Sequence, residues 1–123
     1  MEVILDTNFI ISCILKKIDF LFELEGKGFK VLVPREVIQE MKDLRMRGGQ
    51  SREERAAIDI AFEIFEKKKV KGMSLGGGKV DDGLIKIGKA GAYIATLDNV
   101  IKRNVPNRIV ILSSKNGIGI ERD

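Results

Sequence analysis

Short apolar segments of two different periods alternate along this chain and predict its secondary structure. Runs of β-branched and apolar residues, typical of strands, occur at residues 3–5, 29–33, 92–97 and 109–112, with an edge strand at 117–120. Apolar residues at helical spacing occur at residues 7–17, 34–46, 51–68, 80–90 and 99–103. The glycine-rich residues 72–78 are predicted to form a loop. Strands that alternate with helices predict a parallel sheet covered on both faces.

Polar residues and glycines mark where two of the predicted helices begin and end. Pro34 stands where a helix begins without losing a hydrogen bond, and Gly48 and Gly49 end that helix. Ser51 and Glu54 have the spacing of a capping box, in which each residue bonds the backbone of the other. The helix that starts at Ser51 therefore has the clearest start signal in the chain.

Length and composition limit the class of protein. The chain has 123 residues, 44% of them hydrophobic, which suits one core and predicts a single domain over residues 1–123. Its longest apolar runs are far shorter than the roughly 20 residues of a membrane-spanning helix, so no membrane association is expected. The first residues lack the pattern of a secretory signal, and Cys13 is the one cysteine. These features lead us to expect a reducing, cytoplasmic location.

The chain contains no histidine, which excludes several kinds of catalysis. Ser-His-Asp and Cys-His mechanisms are excluded, and so are the usual zinc sites built from cysteine and histidine. Carboxylates, lysines, one tyrosine and a hard cation held by carboxylates remain for reaction chemistry. The net charge of +4 suits a polyanionic partner such as nucleic acid, although the chain also carries 18 acidic residues.

Two acids each come directly after a predicted strand. Asp6 follows the first strand, and Asp98 follows the strand at residues 92–97. In an open parallel sheet, ligands bind beyond the carboxyl ends of the strands, where the strand order reverses. Each residue also has an ordinary interpretation, since aspartate is a favoured helix N-cap. Position alone therefore makes both residues candidates without assigning either.

The face of the predicted helix on which an acid lies indicates further ligand candidates. Glu40 borders the apolar stripe of its helix, although a helix glutamate is usually solvated surface. Asp81 precedes Leu84 by three residues and Ile85 by four, which places it on the inward face. Asp82 points instead towards two lysines further along the helix. Asp81 is thus the better ligand candidate, and Asp82 is either a surface partner of those lysines or an outer acid.

Convergence of Asp6, Glu40, Asp81 and Asp98 would bring four negative charges together. Such a group repels itself strongly unless a cation lies among its members. Mg²⁺ or Mn²⁺ suits a site made only of oxygen ligands, lowers the pKa of bound water and stabilises charge on a phosphodiester. A hard-metal site of this kind would also generate a nucleophile without histidine.

Four short segments in this order resemble the PIN-domain nucleases over nearly the whole chain. They are ILDTNF at residues 4–9, VPREVIQE at 33–40, VDDGLI at 80–85 and ATLD at 95–98. The paired Asp81-Asp82, the IATLD strand and the final Gly119-Ile120-Glu121 look most like the archaeal and eukaryotic branch that processes ribosomal RNA. VapC-type toxins are the near relatives. The glycines at residues 76–78 depart from the family pattern just before Asp81.

The resemblance implies a three-layer α/β/α fold with a central parallel sheet and endonucleolytic cleavage of RNA. It implies that the four acids hold one or two Mg²⁺ or Mn²⁺ ions, and that Asn8 and Thr96 orient them from close by. Local capping or turn bonding is an equal interpretation of Asn8 and Thr96. Dimerisation is common in the family, so a homodimer is a further expectation, together with a ribosome-assembly or antitoxin protein as partner.

Two other functions stay open from the sequence. The first alternative is a VapC-type toxin of a toxin-antitoxin pair. The second is a non-catalytic RNA-binding or assembly module with the same fold. The basic run made by Lys67, Lys68, Lys69 and Lys71 has two interpretations as well. It is a solvated helix end that complements the helix dipole, or a patch that contacts RNA phosphates.

Overall fold

The computed structural model describes residues 1–114 and 116–123. The helices in this part are α1 (Thr7–Leu15), α2 (Phe20–Gly26), α3 (Arg35–Met46), α4 (Arg52–Lys67), α5 (Val80–Lys89) and α6 (Asn99–Asn104). The strands are β1 (Glu2–Leu5), β2 (Lys30–Pro34), β3 (Lys71–Met73), β4 (Tyr93–Ala95), β5 (Asn107–Leu112) and β6 (Gly117–Arg122). The capping box at Ser51 and Glu54 is present at the start of α4, as its spacing predicts.

All six strands form one sheet in the order β3-β2-β1-β4-β5-β6. The first five are mutually parallel, and β6 runs antiparallel to β5 at one edge. Alternate residues of the central strands point to opposite faces of the sheet. Leu5 therefore contacts one layer of helices, and Ile4 contacts the other.

Two apolar clusters fill the spaces on the two faces of the sheet. The larger cluster joins Leu5 with buried residues of α1, α2, α3 and α4, among them the fully buried Phe9 and Met41. The smaller cluster joins Ile4 with buried residues of α5 and α6, among them Leu84 and Ile101. The predicted three-layer α/β/α architecture is confirmed, with four helices on one face and two on the other.

Three features of the fold differ from the sequence prediction. Helix α2 was not predicted, although Asp19 caps it by accepting a hydrogen bond from the backbone of Phe22. The glycine-rich loop prediction is wrong at its start, because Lys71–Met73 forms the edge strand β3 beside the last residues of β2. The sheet is mixed rather than wholly parallel, because β6 pairs antiparallel with β5 at one edge. No helix of the described residues is long and apolar enough to cross a membrane.

Candidate active site

A cleft opens at the carboxyl ends of the central strands. Strand β1 lies between β2 and β4, so the chain leaves the centre of the sheet in both directions, and this reversal is the topological switch point. The cleft has a volume of about 510 Å³. Its lining residues are Asp6, Thr7, Asn8, Ile11, Ser12, Leu15, Glu40, Leu44, Arg47, Gln50, Glu54, Asp81 and Asp98.

Asp6 lies at the junction of β1 and α1 and is only 4% exposed. Its extended backbone lets it cap α1, where Oδ1 accepts a hydrogen bond from the backbone N–H of Thr7 at 2.9 Å. Oδ2 accepts a second one from the hydroxyl of Thr96 at 2.7 Å. Each carboxylate oxygen retains a lone pair after these bonds. The capping interpretation of Asp6 is therefore correct and leaves the residue able to bind a ligand.

Burial raises the pKa of the Asp6 carboxyl to about 6, from an ordinary value of 3.8. The hydrogen bonds from Thr96 and Thr7 act in the opposite direction, because they favour the charged form. The negative charges of Glu40 and Asp81 raise the pKa further. Asp6 therefore lies within electrostatic reach of an acid on α3 and of one on α5.

Thr96 and Asn8 join the ends of β1 and β4. The fully buried Thr96 hydroxyl donates to Asp6 and accepts a hydrogen bond from the backbone N–H of Asp98 at 3.1 Å. Asn8 Oδ1 accepts from the backbone N–H of Leu97 at 3.0 Å and lies 3.4 Å from the Thr96 hydroxyl. Thr96 therefore contacts Asp6 and the backbone of Asp98, and its bond to Asp98 is the local turn bond of the competing interpretation. Asn8 instead bonds Leu97 and Thr96 across the sheet, so its bonds are not local.

Asp98 caps α6 with one oxygen. Oδ1 accepts from the backbone N–H groups of Val100 at 2.8 Å and Ile101 at 3.1 Å. The residue is partly exposed and lines the cleft. Glu40 on α3 is also partly exposed, whereas Asp81 in the first turn of α5 is exposed. All four acids predicted as ligands thus line one cleft, on elements from both helical layers.

The remaining predicted residues lie outside this cleft. Asp82 is exposed on α5 and, in the described part of the chain, forms no ion pair with the lysines further along that helix. Lys67 ends α4, Lys68 and Lys69 follow it, and Lys71 begins β3. The first turn of α4 carries the cleft residue Glu54, and a helix of 16 residues is about 24 Å long, so the lysines at its end are well separated from Glu54.

Arg47, Gln50 and Thr7 are among the cleft residues that the sequence did not indicate as candidates. Arg47 and Gln50 lie in the segment between α3 and α4, which carries only the signals of a helix end. Arg47 is the one cationic side chain among the described residues that line the cleft. Thr7 is 5% exposed, and its hydroxyl is the one buried side-chain polar atom of the described residues without a hydrogen-bond partner.

The donor set of the cleft fits a hard divalent cation in its chemistry. Its acids supply oxygen ligands alone, which is the preference of Mg²⁺ and Mn²⁺. Within residues 1–114 and 116–123, however, no three acidic or cysteine side chains lie close enough together to hold an ion as they stand. Glu40 and Asp81 are partly or fully exposed and can turn, whereas Asp6 and Asp98 are each held by two hydrogen bonds.

The fold and the cleft together define an α/β protein with an acidic site at the switch point of a mainly parallel sheet. A family model described as a PIN like domain matches residues 3–114, and the chain therefore belongs to the PIN-like domain family. A solved structure titled as that of the PIN domain endonuclease Utp24 has a similar fold, with a TM-score of 0.72 and 23% sequence identity. That match covers 99% of this chain and 92% of the other. No curated protein sequence gives a significant match.

Proposed function

We propose that this chain is a divalent-metal-dependent endoribonuclease that cleaves RNA phosphodiester bonds in ribosomal RNA processing or RNA turnover. The observation that carries the proposal is the arrangement of Asp6, Glu40, Asp81 and Asp98 around one cleft. Membership in the PIN-like family and the likeness to a structure titled as an endonuclease support a nuclease. The excess of basic residues supports a polyanionic substrate.

Asp6, Glu40, Asp81 and Asp98 would hold one or two Mg²⁺ or Mn²⁺ ions. When bound, such an ion lowers the pKa of water and offsets negative charge on a phosphodiester. The ion would also remove the repulsion by which Glu40 and Asp81 raise the pKa of Asp6. Asp6 is held in one orientation for metal binding, because the Thr96 hydroxyl and the backbone N–H of Thr7 each donate a hydrogen bond to one of its oxygens.

Arg47 has a separate role in this proposal. Its guanidinium is positively charged at any physiological pH and donates hydrogen bonds in a planar fork that suits phosphate oxygens. In the described part of the chain it has no carboxylate within 4.0 Å. Arg47 is therefore available to bind a phosphate of the RNA backbone at the rim of the acidic cleft.

The direct test is cleavage of single-stranded RNA with Mn²⁺ or Mg²⁺ by the wild type, Asp6→Asn and Asp98→Asn. Partners that only orient metal ligands contribute about 10–100-fold, so loss of a ligand is expected to slow cleavage at least about 100-fold. Asp43→Asn is the matched control, because Asp43 is an exposed acid of α3 that does not line the cleft. Equal cleavage by all four proteins would contradict the proposal, and so would RNA binding by the wild type without metal-dependent cleavage.

A further inference from the structure

Glu36 is an acid of α3 that contacts the loop between β3 and α5. Its Oε1 accepts a hydrogen bond from the backbone N–H of Leu75 at 3.0 Å. Its Oε2 accepts from the backbone N–H of Gly77 at 3.1 Å and from the hydroxyl of Ser74 at 3.3 Å. The Glu36 side chain is 15% exposed. One carboxylate therefore satisfies three donors of a loop that is about forty residues away in sequence.

The loop has a backbone conformation that suits this contact. Gly76, Gly77 and Gly78 have φ angles of 90°, 84° and 74°, a region that other residues adopt only with strain. Successive backbone N–H groups in such turns form a concave anion-binding surface. These hydrogen bonds, above all the one from Leu75, lower the pKa of Glu36 to about 2 from an ordinary value of 4.5. Glu36 is thus a fixed anion in this surface at any physiological pH.

The same loop packs against the first turns of α5. A Cβ atom added to Gly83 would lie 2.9 Å from Cβ of Leu75, so the Leu75 side chain lies directly on the Gly83 backbone. Leu75 also belongs to the partly buried residues that pack on the smaller apolar cluster. Asp81 is two residues before Gly83 in the same helix. Leu75 therefore packs directly against the part of α5 that carries Asp81.

We propose that Glu36 is a positioning residue that fixes the first turn of α5 relative to α3, and thereby sets how Asp81 faces Glu40. Glu36 and Glu40 stand one turn apart on α3, so the helix that carries one metal ligand also holds the loop that leads to another. The inference rests on the proposed metal-dependent function. It explains why three successive glycines precede Asp81, because only glycine adopts the loop conformation that Glu36 binds without strain.

The experiment compares Mn²⁺ binding by wild type, Glu36→Gln and Asp43→Asn, measured without RNA by titration calorimetry and electron paramagnetic resonance. A glutamine presents its amide NH₂ to one of the backbone donors and so loses part of the contact. Glu36→Gln is expected to bind Mn²⁺ about tenfold or more weakly, as for other partners that orient ligands. Asp43→Asn also removes one negative charge from α3, but among the described residues the side chain of Asp43 hydrogen-bonds Gln39 of its own helix, and the Mn²⁺ affinity of this variant should match the wild type.

Two further measurements separate positioning from general stability. In the metal-free protein, the amides of Leu75 and Gly77 should exchange hydrogen faster in Glu36→Gln than in Asp43→Asn. Cleavage by Glu36→Gln should regain most of the wild-type maximal rate at saturating Mn²⁺, because all four acids are present. If Glu36→Gln does not fold, Leu75→Ala takes its place, since it removes the contact with Gly83 and should weaken Mn²⁺ binding likewise.

The outcomes distinguish the inference from the proposed function. Wild-type Mn²⁺ affinity in folded Glu36→Gln, or in Leu75→Ala where that variant is used, would overturn the positioning role and leave the metal site intact. Absence of Mn²⁺ binding by the wild type would overturn the proposed function, and the positioning role with it. Weaker Mn²⁺ binding by Glu36→Gln, together with wild-type Mn²⁺ affinity in Asp43→Asn, supports both the positioning role and the proposed function.

Discussion

Replacing Asp6 with asparagine is expected to stabilise the metal-free protein at neutral pH. Asparagine has nearly the same shape, and its Oδ1 can still accept from the backbone N–H of Thr7. Its amide can donate to the Thr96 hydroxyl, which can turn its own hydrogen towards Asn8 Oδ1, 3.4 Å away. The substitution therefore removes a buried charge, while the hydrogen bonds around it are rearranged rather than lost.

The magnitude follows from the two pKa values of Asp6. Its carboxyl has a pKa of about 6 in the folded protein and an ordinary value of 3.8. Between these values the folded state binds more protons than the unfolded state, so the free energy of unfolding falls as the pH rises through this window. The difference between the two pKa values corresponds to a loss of at most about 3 kcal/mol in the free energy of unfolding, since one pKa unit is worth about 1.4 kcal/mol. Asp6→Asn cannot ionise and does not lose this free energy.

Urea unfolding followed by far-ultraviolet circular dichroism, with chelator present, measures the effect between pH 4 and pH 7.5. Asp6→Asn and wild type should have similar stability near pH 4, and Asp6→Asn should be more stable by about 2–3 kcal/mol at pH 7. The control Asp43→Asn removes an exposed acid and should change stability by less than about 0.5 kcal/mol. Adding Mn²⁺ should then stabilise the wild type and not Asp6→Asn. An Asp6→Asn protein that is less stable than wild type at pH 7 would refute this reasoning.

Four further outcomes test the packing at two glycines, a helix cap and the basic run. Gly88→Ala should lower stability by about 1–3 kcal/mol in thermal unfolding, because its Cβ would lie 2.9 Å from Cβ of Val105. Gly26→Ala, where the new Cβ meets nothing within 4 Å, should be at least as stable as wild type. Ser51→Ala should cost about 1 kcal/mol through the lost cap of α4, and an unchanged melting temperature would contradict it. Alanines at residues 67–69 should reduce the slope of log affinity for single-stranded RNA against log salt by about 2 if these lysines contact phosphates, and an unchanged slope would rule that contact out.

Much of the fold could be predicted because local signals and tertiary packing agree in the central elements. Strand β1 has three buried apolar residues after Glu2 and is followed by an aspartate that caps the next helix, so pattern and position indicate the same boundary. Helix α4 has both a capping box and an apolar face. Strand β3 could not be predicted, because three residues that include a glycine have little strand propensity. Its pairing with the end of β2 supplies the hydrogen bonds that define it.

Some residues of the candidate site could likewise be predicted from the sequence, and others could not. Asp6 and Asp98 could be selected because each follows a strand, and the strand ends meet in any parallel sheet. Glu36 could not be recognised as a loop contact, because its partners are about forty residues away and the contact depends on a specific loop conformation. The same holds for Arg47, whose place at the cleft depends on the path of the segment between α3 and α4.

A crystal structure after soaking with Mn²⁺, recorded with anomalous diffraction, tests the metal site most directly. The proposal predicts an anomalous peak in the cleft with carboxylate oxygens of Asp6 and at least two of the other three acids within roughly 2.1 Å. Compared with the metal-free protein, the side chains of Glu40 and Asp81 should turn towards Asp6, while Asp6 and the helix-capping Asp98 should change position little. A cleft that stays without Mn²⁺, or an ion bound elsewhere with these acids still apart, would contradict the proposal.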